Sequence, residues 1–126
     1  MSSKVTGLVV EDESLLRLEL AEELSAAGWS VHEAGTGEEA LKLLARFQAM
    51  GRRFDFLITD IRLGGAVDGW EVAENFRKAW PDLPVIYVSA NPIVERRKVQ
   101  GSLFLSKPVD IAGLIVAGRA LLAVQD

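Results

Sequence analysis

Four apolar runs in this chain lead into groups that can do chemistry. Residues 5–10 run into Glu11 and Asp12, residues 54–59 into Asp60, residues 85–88 into Ser89, and residues 103–105 into Ser106 and Lys107. A carboxylate at the end of a buried strand is costly unless other charge balances it. Two like charges about 4 Å apart in a partly buried site cost on the order of 4 kcal/mol. Either one acid keeps its proton or a cation sits among them. An all-oxygen donor set suits Mg²⁺. A carboxylate can also attack phosphorus to give an aspartyl phosphate. Mg²⁺ and Lys107 would neutralise the transferring phosphoryl oxygens, and Ser89 would donate a hydrogen bond to one. An acceptor acid, two metal acids, a hydroxyl and an ammonium form a coherent phosphoryl-transfer set.

The elements that position these groups alternate along the chain. Residues 5–10, 29–34, 54–59, 85–89 and 103–105 are short, apolar and strand-like. Between them, Leu15, Leu16, Leu18, Leu20 and Leu24 mark an amphipathic helix over 14–27, with Gly28 as its cap. Thr36-Gly37-Glu38-Glu39 is a capping box, with Glu39 expected to reach back. The helix it opens ends near Gly51. Asp68-Gly69-Trp70-Glu71 repeats the signature, and Pro81 stops that helix after Ala79. Residues 93–99 leave room for about two helical turns. Asp110 caps a last helix over 111–124. Strands alternating with helices predict a parallel sheet with helices on both faces, and ligands bind such sheets beyond the strands' carboxyl ends. The polar strand ends would therefore meet on one rim.

At 126 residues the chain is read as one domain with a single core. Its net charge of −4 argues against nucleic-acid binding, and the absence of cysteine excludes disulfides and thiolate metal sites. No signal peptide or membrane span is visible, and a cytoplasmic setting is expected.

Val9-Val10-Glu11-Asp12-Glu13, Phe56-Leu57-Ile58-Thr59-Asp60, Val88-Ser89-Ala90 and Phe104-Leu105-Ser106-Lys107-Pro108 stand in the order of four family motifs. On these the chain resembles the receiver domains of two-component response regulators, in particular the single-domain chemotaxis type. The resemblance implies an α/β, (βα)5 doubly wound, flavodoxin-like fold with a five-stranded parallel sheet in the order 2-1-3-4-5. It implies that Asp60 takes a phosphoryl group from a histidine kinase or phosphotransfer protein. Mg²⁺ would be held by Glu11, Asp12, Asp60 and the backbone carbonyl of Arg62. Ser89 would move to meet the phosphoryl group, Lys107 would bind it, and Phe104 would be a rotating switch aromatic. The Lys107-Pro108 bond is cis in the family. Apart from turning over its own phosphoryl group, such a domain is not an enzyme. A single receiver over residues 1–126 is expected, with no output domain, so that output is protein binding, relay shuttling or a phosphate sink.

The chain departs from the family pattern in places. Gly64-Gly65 replaces the usual proline after the phosphoacceptor, the stretch to Asp68-Gly69 is one residue longer, and both favour a mobile loop. Ser89 and Lys107 stand 18 positions apart, which shortens the fourth helix and puts the usual output surface in question. The last helix is apolar around most of its circumference and predicts a partner or homodimer surface, with cover from the fourth-helix region as the alternative. Glu95-Arg96-Arg97-Lys98 reads as a solvated charged face, with a partner-docking patch as the alternative; His32 reads as an ordinary strand residue, and Trp29, Trp70 and Trp80 as packing residues. Rival functions are a phosphorylation-independent pseudo-receiver and a haloacid-dehalogenase-type phosphatase, which expects an acid where Arg62 stands. A flavodoxin-like cofactor binder is disfavoured because Glu11-Asp12-Glu13 would repel a phosphate.

Overall fold

The structure, a computed structural model, describes residues 4–90 and 97–124. The chain order is β1 (Thr6–Val10), α1 (Ser14–Ala26), β2 (Ser30–Ala34), α2 (Gly37–Ala49), β3 (Phe56–Asp60), α3 (Gly69–Ala79), β4 (Val85–Ser89), β5 (Leu103–Ser106) and α4 (Ile111–Val124). All strand pairs are parallel and the sheet order is β2-β1-β3-β4-β5, the topology expected from the sequence.

Successive strand residues face opposite sides of a sheet, so a strand covered on both sides must be apolar throughout. Leu8, Val10, Leu57, Val85 and Tyr87 pack with Ala40, Leu44, Phe47, Val72, Ala73 and Phe76 of α2 and α3. Val9, Phe56, Ile58, Ile86 and Val88 pack with Leu20, Leu24 and Leu114 of α1 and α4. The tryptophans belong to this packing: Trp29 lies against Phe56, Trp70 against Tyr87, and Trp80 against Phe54 and Phe76.

Thr36 and Asp68 cap α2 and α3 by accepting from the N–H groups of Glu39 and Glu71 at 3.0 and 2.9 Å. Glu39 reaches back one residue further than expected, to the Gly35 N–H at 3.4 Å. Gly28 closes α1 with a left-handed φ of 101°. The leucines of α1 divide more sharply than the sequence predicts. Leu16, Leu20 and Leu24 form the inward stripe, whereas Leu15 is 77% and Leu18 48% exposed.

The short fourth helix expected over residues 93–99 falls largely outside the described residues. The described part of that connection, residues 97–102, forms turns and is tied to α3 and β4. Arg97 pairs with Glu74 at 2.8 Å, Arg77 donates to the Gln100 carbonyl at 2.6 Å, and the Val99 N–H donates to the Tyr87 hydroxyl at 3.0 Å. It therefore lies on the α3 side of the sheet, and the expected alternative of a cover over α4 is not seen among the described residues. Among them, no helix is long and apolar enough to cross a membrane.

Candidate functional site

Register brings the strand ends together. Val10 pairs with Thr59, so Glu11 and Asp60 follow side by side; Asp60 pairs with Val88, and Ser89 with Ser106. The Lys107 N–H donates to the Ser89 carbonyl at 2.9 Å, which places the lysine at the same rim, and the Lys107-Pro108 peptide is cis.

Glu11, Asp12 and Asp60 each offer a carboxylate oxygen, and these oxygens lie within 4.8 Å of one another. Glu11 and Asp60 are buried, while Asp12 faces solvent. The Lys107 ammonium bridges the buried pair, 2.7 Å from Asp60 Oδ2 and 2.9 Å from Glu11 Oε1. The other carboxylate oxygens take backbone donors: Glu11 Oε2 accepts from the Glu13 N–H at 3.0 Å, and Asp60 Oδ1 from the Arg62 N–H at 3.2 Å. Beside them opens a pocket of about 330 Å³ lined by Asp60, Arg62, Ser89, Ala90 and Lys107. A larger cavity of about 600 Å³ at the opposite end of the sheet contains Asp55 and Asp82, but these are engaged by the Thr6 N–H and Arg53.

Burial raises the pKa of Glu11; the Glu13 N–H and Lys107 pull it back, and the charge of Asp60 adds to the rise. Burial alone would lower Lys107, but hydrogen bonds and charge from Asp60 and Glu11 outweigh it and the pKa ends above its ordinary value. Lys107 is thus held as an ammonium. Three carboxylates against one ammonium leave two negative charges on an oxygen-only donor set, which fits a divalent cation such as Mg²⁺.

The structure thus assembles every strand-end residue singled out from the sequence. Ser89 is buried at the pocket wall, and Arg62 lines the pocket with its side chain in solvent. Phe104 is half-buried, paired in register with Tyr87 and packed on the α2–α3 side. Arg17 is a residue that sequence reasoning missed. Its guanidinium donates to the Glu11 carbonyl at 2.7 Å and pairs with Glu33 at 3.4 Å, bracing the acid turn against β2. The available signal was a cation in the first turn after the acids, within an otherwise leucine-rich stretch.

A doubly wound parallel domain with an acid cluster, a lysine and a hydroxyl at its strand ends is the arrangement expected of a receiver domain, a signalling module rather than a classical enzyme. The family model for the response regulator receiver domain matches residues 8–118, and the chain belongs to that family. Receiver domains pair with histidine kinases, are phosphorylated by them and generally bind Mg²⁺ at an acidic pocket. The chain is 31% identical to the sensor kinase CckA of Brucella abortus, over 100% of this chain and 13% of that protein. It is 34% identical to the response regulator MprA of Mycobacterium leprae, over 91% of this chain and 50% of that protein. It therefore spans half or less of these curated relatives. A response regulator receiver protein from Sinorhizobium medicae superposes with a TM-score of 0.90 at 33% identity, covering 98% of both chains.

Proposed function

We propose that Asp60 is the phosphoacceptor of a Mg²⁺-dependent receiver switch. The observation that carries this is the buried Asp60 carboxylate at the pocket wall, with Lys107 at 2.7 Å and the Arg62 N–H at 3.2 Å. One Asp60 oxygen forms the new bond to phosphorus as the donor's phosphorus–nitrogen bond breaks, and the histidine leaves with the electron pair and takes up a proton. Lys107 then moves its hydrogen bond from Asp60 Oδ2 to a phosphoryl oxygen, and Ser89 donates to another. Glu11, Asp12, Asp60 and the Arg62 carbonyl would hold Mg²⁺, which neutralises charge on the transferring group.

Output is a shift between two surface states biased by the modified charge at Asp60, with Ser89 and Phe104 as the moving parts. The outer face of α4 presents Ala112, Val116, Arg119, Ala120 and Ala123 to solvent, and a homodimer or partner contact there is part of the same reading. Residues 8–118 act as a receiver, in a cytoplasmic setting. A pseudo-receiver is disfavoured because the acids, hydroxyl and lysine are all assembled. A dehalogenase-type phosphatase is disfavoured because the residue two positions after Asp60 is a solvent-exposed arginine.

Beryllofluoride with Mg²⁺ mimics the acyl phosphate and tests this directly. Wild-type protein should show amide NMR shifts around the pocket beyond those given by Mg²⁺ alone, and Asp60→Asn should show no such further shifts. Further shifts that survive in the variant, or none in the wild type, would sink the assignment.

A further inference from the structure

The loop between β3 and α3 carries the Arg62 carbonyl and the Gly64-Gly65 pair that sequence reasoning takes as a mobile point. Both ends of it are fixed. Leu63 is buried in the α2–α3 core, and the Gly69 N–H donates to the Ile61 carbonyl at 2.8 Å. Val67 lies against Gly37 so closely that a Cβ on the glycine would overlap its backbone oxygen and side chain. The middle of the loop is held from α2 by Glu38. Its Oε2 accepts from the Ala66 N–H at 3.1 Å. A Cβ on Gly65, which has a φ of 144°, would stand 3.0 Å from Oε1 and 3.1 Å from Oε2. Oε1 is buried and has no hydrogen-bond partner among the described residues. Glu38 also lies in the first turn of α2, where the helix dipole favours a carboxylate.

A glycine pair loses more freedom on ordering than any other residues, so a loop containing one needs an external anchor to present a carbonyl in a fixed direction. A carboxylate with one oxygen engaged and the other buried beside the same loop is such an anchor, with acceptor capacity to spare. We propose that Glu38 is a positioning residue for the metal and phosphoryl chemistry. It fixes Gly65 and Ala66, and through them the backbone that carries the Arg62 carbonyl. Ordering of this loop and Mg²⁺ binding are then coupled, and each strengthens the other by the same factor. The inference rests on the receiver reading above.

The test compares wild type, Glu38→Ala and Glu38→Gln, with Mg²⁺ as the probe. Affinity is read by NMR titration, loop order by hydrogen exchange of the Ala66 amide, and folding by urea denaturation. Losing a charge-assisted bond to a backbone N–H should weaken Mg²⁺ binding by about three- to tenfold in Glu38→Ala. The Ala66 amide should exchange faster by a similar factor. Glu38→Gln, which keeps an acceptor oxygen, should recover part of both. Phosphorylation by acetyl phosphate should slow in Glu38→Ala at limiting Mg²⁺ and recover at saturating Mg²⁺. Unchanged Mg²⁺ affinity in Glu38→Ala, or an affinity loss without faster Ala66 exchange, would overturn the role of Glu38. Failure of the wild type to respond to beryllofluoride would instead overturn the receiver reading, and Ala66 exchange would still report on the anchor.

Discussion

Burial alone would lower the pKa of both Lys107 and His32, and Lys107 escapes because Asp60 and Glu11 stand 2.7 and 2.9 Å from its ammonium. Among the described residues His32 has no such partners. Its ring meets the edges or faces of Phe47 and Phe54 at 5.2 and 5.6 Å, and burial, assisted by the charge of Arg52, lowers its pKa from 6.5. The signs decide the pH behaviour. A base with a lowered folded pKa contributes stability that is complete above 6.5 and is lost as pH falls toward the lowered value, because the unfolded chain takes the proton first. Glu11 works the other way: its raised pKa removes stability as pH rises above the ordinary 4.5. His32→Gln should therefore flatten the acid-side loss between the lowered His32 value and 6.5 and leave the Glu11 contribution in place. Urea denaturation of both proteins across that range is the check, and parallel curves would exclude His32 as the titrating group.

At the scale of elements, a glycine inside the β3–α3 loop and the glycine that opens α3 should respond to alanine in opposite ways. A Cβ on Gly69 would overlap the Asp60 carbonyl oxygen and the Ile61 backbone, so the start of α3 would be pushed off the strand that carries Asp60. Gly69→Ala should cost about 1–3 kcal/mol and disturb the pocket. Around Gly64 nothing lies within 4 Å of a built Cβ and φ is not left-handed, so Gly64→Ala should be neutral or stabilise by about 0.4–1 kcal/mol. Denaturation midpoints would separate the two. This contrast marks the limit of what the sequence discloses. The strand-end set was legible because two-sided burial makes each strand a continuous apolar run, so the first polar group after it is conspicuous. Thr36 and Asp68 were legible because capping is local in sequence. The anchoring of the Gly64-Gly65 loop was not, since the Glu38 carboxylate meets Ala66 across a separation of 28 residues. Nor was the split among the α1 leucines, because apolar side chains at neighbouring positions do not say which of them a sheet will cover.

For the molecule as a whole, the rim is where charge gathers at the edge of an apolar core. The core of the sheet is apolar on both faces, yet its strand ends hold buried Glu11 and Asp60 beside Asp12, with a single ammonium between them. The raised pKa of Glu11 shows that burial and the charge of Asp60 together outweigh what Lys107 and the Glu13 N–H return. A ligand that binds only the folded state stabilises it by RT ln(1 + [L]/Kd), about 2.7 kcal/mol at a hundredfold excess over Kd. Mg²⁺ should therefore raise the melting temperature of the wild type by several degrees, more than an equal ionic strength of Na⁺. Asp60→Asn keeps the shape and one acceptor oxygen while removing a charge. Without Mg²⁺ it should be at least as stable as the wild type, because relieving the charge of Asp60 on buried Glu11 offsets the lost pairing with Lys107, which retains Glu11. Mg²⁺ should stabilise it less than the wild type, since a donor carboxylate has gone. Thermal melts of both proteins with and without Mg²⁺ give the four numbers required. An Asp60→Asn variant less stable than wild type without Mg²⁺ would mean that Lys107 already balances the rim, and the charge deficit assigned to a divalent cation would have to be abandoned.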